Sequence, residues 1–142
     1  MPQDASLPPE PLSLTEASVQ EIQLELIRRW RFNCFDGPKI VASLRRHRSL
    51  WRGAFMDRLG FVSQEGQSNF GLIKLRDLPA NHWNVDDLFI LTDTLEQARQ
   101  WQQIAIDEEW SADNTSIIED EDDRARQLGT SRPGYVVDFW WD

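Results

Sequence analysis

With 142 residues the chain is the size of one domain, able to bury roughly two-thirds of the surface its unfolded form exposes. Its 40% hydrophobic and 27% charged content suits an ordinary globular protein, and a single cysteine, Cys34, excludes an internal disulfide framework. The net charge of −9 argues against a general nucleic-acid binder.

No apolar run approaches the roughly 18 residues of a membrane span. Met1-Pro-Gln-Asp lacks the basic and apolar start of a secretion signal, so a cytoplasmic location is expected. Charge is unevenly spread. Residues 1–60 carry nine basic and seven acidic side chains, whereas residues 61–142 carry six and seventeen. A basic front and an acidic back that pack together would partly neutralise each other.

Met1 to Leu12 holds four prolines and reads as a disordered tail, leaving 13–142 as a single domain divided into 13–60 and 61–142. Ser13-Leu-Thr-Glu16 fits a capping box. The helix it would open sets Val19, Ile22, Leu26, Ile27 and Trp30 on one stripe, with Glu25 and Arg29 at a favourable i, i+4 spacing. Asn33 to Gly37 breaks that helix, and Pro38 suits the first turn of the next. Ile40, Leu44, His47, Trp51 and Phe55 then predict a second helix running to a stop at Gly60, with Gly53 a weak point in its continuity. The two together predict a helical hairpin.

Phe61 to Ser63 and Asn69 to Leu75 read as a β-hairpin, and Asp77 to Val85 as a loop. Beyond Asp86, Leu88–Asp93, Thr115–Ile118 and Tyr135–Trp141 read as strands, separated by helical runs over Thr94–Trp110 and Asp120–Leu128. The expected fold is therefore α+β leaning to α/β. An N-terminal helical hairpin packs on a small mixed sheet that ends in a C-terminal βαβαβ unit with parallel strands.

Parallel strands would gather Asp93, Glu119 and Asp120 on one rim, where a divalent metal could bind. The competing role for Asp93 or Thr94 is to cap the following helix, with Glu96 or Gln97 reaching back; Asp120 is likewise a natural cap. Asp93-Thr-Leu-Glu lacks the second aspartate of a phosphatase-type motif, and no glycine-rich phosphate loop follows any strand. His47 falls on an apolar helical face and His82 in a loop, and neither forms a nucleophile–base spacing. Arg45, Arg46, Arg48 and Arg52 around Trp51 are the candidate nucleic-acid contacts.

No catalytic or cofactor motif is complete, so no cofactor is expected and an enzyme is disfavoured. The leading expectation is a non-enzymatic interaction or regulatory protein that binds a partner protein of basic character. Its contacts would be the acidic run Glu119, Asp120, Glu121, Asp122 and Asp123 with the aromatics Trp140 and Trp83. A small acidic inhibitor of a basic protein fits that charge. Nucleic-acid and membrane partners are not expected, and oligomeric state is left open.

Overall fold

The computed structural model describes residues 13–57, 75, 77–81, 83, 85–123 and 134–142. The expected tail and the expected hairpin strands within 61–74 lie outside these residues, as does His82.

The first helix, α1 (Val19–Arg29), begins later than the Ser13 box implies. Ser18 is its N-cap, accepting from the Glu21 amide while Glu21 accepts from the Ser18 amide, so the reciprocal box lies five residues downstream. Val19 is consequently exposed, and Leu24 and Ile27 carry the buried stripe. Glu25 pairs with Arg28 and Arg29 along one flank.

A short ladder of β1 (Arg31–Phe32) and β2 (Phe35–Asp36) reverses the chain, with Asn33 in the left-handed region at φ 46°. Helix α2 (Gly37–Arg46) follows, with Asp36 accepting from the Lys39 amide and Pro38 in its first turn. Gly37 abuts α1. A Cβ there would lie 2.1 Å from the Ile27 carbonyl oxygen and 2.6 Å from that of Trp30.

The second helix does not reach Gly60. It ends at Arg46, passes through a 3-10 turn at Arg48–Leu50, and gives way to strand β3 (Gly53–Asp57). Alternating burial of Ala54 and Met56 against exposed Phe55 suits a strand, and β3 finds a partner in β4 (Asp87–Thr92). Asp77–Ala80 forms a short helix, α3, inside the expected loop. Helix α4 (Leu95–Asp107) joins β4 to β5 (Asn114–Ile118), and β6 (Tyr135–Trp140) closes the chain. Between β5 and β6, residues 121–123 are helical.

The α+β class stands, and the order β4, α4, β5, helical turn, β6 follows the expected succession. The pairing does not. The main sheet runs β3-β4-β6-β5 with every neighbouring pair antiparallel. Strands β4 and β5 do point the same way, as a helical crossover requires, but β6 inserts between them in the opposite sense.

Register sorts the sheet into two faces. One carries Ala54, Met56, Leu88, Ile90, Thr92, Thr115, Ile117, Val137 and Phe139; the other carries Phe55, Asp57, Asp87, Phe89, Leu91, Asn114, Ser116, Val136, Asp138 and Trp140. Helix α4 packs on the first face through Ala98, Trp101 and Ala105. An aromatic chain runs through this core. Trp101 neighbours Trp110 with ring centroids 5.9 Å apart, Trp110 meets Phe139 edge-on at 5.0 Å, and Trp141 meets Phe35 edge-on at 4.8 Å.

Three buried indoles donate to main-chain carbonyls: Trp51 to Leu44, Trp101 to Leu50 and Trp141 to Trp110. Among the described residues no helix is long and apolar enough to cross a membrane.

Candidate protein-interaction surface

Helix α4 delivers the chain to the acidic tract. Thr94 accepts from the Gln97 amide while the Gln97 side chain accepts from Thr94, so Thr94 rather than Asp93 caps the helix. At the other end the Trp110 amide reaches the Ala105 carbonyl and the Glu109 amide that of Ile106, with Glu109 left-handed at φ 56°. This reversal lets β5 run back across the sheet.

From Asp107 to Asp123 there are nine acidic residues and no basic one. Glu119, Asp120, Glu121, Asp122 and Asp123 are all exposed, and the first four make no ion pair among the described residues. Asp120 accepts from the Asp123 amide, the capping role its position suggests. Trp140 is half-buried beside Asn114, its indole donating to Asp86. Trp83 is only 6% exposed and sits in the core, with Asp77 and Val85 buried as well while residues 78–81 stay exposed. It is no surface anchor.

The rim proposed for a metal is split. Asp93 and Glu119 do follow strands that end on the same side of the sheet, but β6 separates those strands by about 10 Å. Asp93 is engaged by Arg52. Among the described residues no three His, Cys, Asp or Glu side chains converge as a ligand set for a metal ion.

The expected basic helix is divided, and its arginines make contacts within the chain. Arg46 pairs with Glu108, Arg52 with Asp93, and the Arg48 guanidinium lies 4.0 Å over the Trp51 ring while donating to its carbonyl. Arg45 is half-buried with its Nε enclosed. Arg46, Arg48 and Arg52 nonetheless remain exposed.

Glu108 is the hub of that neutralisation. It accepts from Ser43, from Arg46 and, at 2.8 Å, from His47 Nε2. Burial alone would raise its pKa, but the hydrogen bonds from Ser43, His47 and Arg46 outweigh that and hold it below the usual range. A serine, a histidine and a carboxylate thus meet, yet both Ser43 and His47 bond to the carboxylate and Ser43 is fully buried. That arrangement clamps α2 to the end of α4; it does not activate a nucleophile.

A second acid cluster sits on the opposite sheet face. Asp87 is fully buried on β4, Asp138 is 7% exposed on β6, and Asp86 flanks them. Burial first, then hydrogen bonds and repulsion from Asp138 and Asp86, push the Asp87 pKa up to about 10. Burial also raises Asp138, while the hydrogen bond from Asp87 favours its charged form. Asp87 therefore keeps its proton at neutral pH and donates it to Asp138. Spacing along the chain could not bring the two together, because Asp87 reaches Asp138 only through sheet pairing.

Compared with protein-family models, curated proteins and solved structures, the chain finds no match.

Proposed function

We propose that this is a non-enzymatic interaction or regulatory protein that binds a basic partner protein through its acidic rim. One observation carries the reading: Arg46 and Arg52 pair with acids of the same chain, and the surplus negative charge stays exposed at Glu119–Asp122 beside an outer strand. Clefts and rims of one sign raise the local concentration of oppositely charged partners and speed encounter. Half-exposed Trp140 adds an aromatic margin next to that strand.

The test is affinity capture from the native host at low and moderate salt. Wild type is compared with a variant carrying Glu119→Gln, Glu121→Gln and Asp122→Asn. The expected result is a discrete basic partner retained by wild type at low salt and lost by the variant. Equal capture by both proteins removes the acidic rim from the account.

A further inference from the structure

We infer that β5 receives an extended, lysine- or arginine-bearing segment of the partner as an added antiparallel or parallel strand. This rests on the acidic-rim reading and specifies how the rim is used. Among the described residues the sheet has two outer strands, β3 and β5, and they are treated differently. On β3 the edge is closed by α1: the Gln20 side chain donates to the Ala54 carbonyl at 2.7 Å and accepts from its amide at 2.9 Å, and Gln23 accepts from the Met56 amide. A glutamine side chain there takes the place of a neighbouring strand.

On β5 no described residue plays that part, and Asn114, Thr115 and Ser116 are exposed. The phase of its main chain follows from the sheet. Because the Trp141 amide donates to the Asp86 carbonyl, odd-numbered residues of β6 turn their main chain to β4 and even-numbered ones to β5. Register sets Asn114, Ser116 and Ile118 opposite Trp140, Asp138 and Val136. Thr115 and Ile117 therefore direct their amides and carbonyls away from the sheet.

Outer strands are ordinarily blunted by lysine, proline or a covering element. Asn114-Thr-Ser-Ile-Ile118 contains neither residue type. Charge decides the occupant. The acidic residues flanking β5 complement a basic segment, whereas pairing β5 with a second copy would bring two exposed acidic tracts together.

The probes are a synthetic peptide of about nine residues alternating lysine and threonine, and the same peptide N-methylated at every residue, which removes both rows of strand-pairing amides. Wild type should bind the plain peptide about tenfold more tightly than the methylated one, the loss expected for a pair of main-chain hydrogen bonds. Thr115→Pro deletes one outward amide while leaving the ladder to β6 intact, so it should erase that difference; Thr115→Val should keep it.

In wild type, hydrogen exchange at the Thr115 and Ile117 amides should slow when the plain peptide binds, a readout that does not depend on how the proline variant folds. Equal, salt-sensitive binding of the two peptides overturns strand addition but leaves the acidic rim. Absence of binding by either peptide at low salt overturns both. A wild-type dimer abolished by Thr115→Pro overturns the basic segment in favour of a second copy.

Discussion

Asp87 on β4 and Asp138 on β6 are hydrogen-bonded carboxyl to carboxyl on one face of the sheet, where burial raises the pKa of both. Two carboxylates buried this closely cannot both ionise, so the fold itself retains the proton.

The pH dependence of stability follows. The unfolded chain releases the Asp87 proton near its ordinary value of 3.8, whereas the native chain holds it to about 10. Folding takes up a proton between those limits, so this group's contribution falls as pH rises through them. Asp87→Asn, which keeps a donor towards Asp138, should raise the melting temperature at pH 8–9 and give no gain near pH 4. Parallel melting profiles for the two proteins across that range would remove the shared proton.

Glu108→Gln should lower stability by about 1–3 kcal/mol at neutral pH, because the Ser43, Arg46 and His47 contacts lose their charged acceptor. The native Glu108 carboxyl titrates below its unfolded value, so its stabilising effect is present above the unfolded value and is lost as pH falls through the native one. Urea unfolding at pH 7 and at pH 3.5 should show the gap between variant and wild type narrowing in acid.

Gln20→Ala opens the protected outer strand by removing both contacts to Ala54. A loss of about 1–3 kcal/mol is expected in urea, together with concentration-dependent self-association in sedimentation velocity. Unchanged stability would show that α1 covers β3 by packing alone.

Glu109→Gly should stabilise. Glu109 occupies the left-handed position after α4, where a side chain is unfavourable and glycine is at ease. A gain of roughly 0.5–1 kcal/mol is expected, less than the full steric relief because glycine also enlarges the freedom of the unfolded chain. Thermal melts check it. Binding through Glu119–Asp122 should be unaffected.

Local chemistry was legible where it depended on neighbours along the chain. The cap at Thr94 with Gln97, the start of α2 at Pro38 and the Glu25–Arg29 pair all follow from short spacings. The Gly53–Asp57 segment was not legible. Trp51 and Phe55 continue the apolar spacing of α2, and only the presence of β4 turns that stretch into a strand. Burial of Trp83 and the meeting of Asp87 with Asp138 likewise needed partners distant in sequence.

By itself the sequence determined an α+β chain whose basic residues come early and whose acidic ones come late, with β segments and helices alternating beyond Asp86. Tertiary structure alone decided that β6 enters between β4 and β5, making the sheet antiparallel, and that Arg46 and Arg52 are spent on Glu108 and Asp93. The reason is physical: side-chain periodicity records which face of an element is buried, but strand order and ion pairing depend on what lies alongside, and that is set only when distant segments close together.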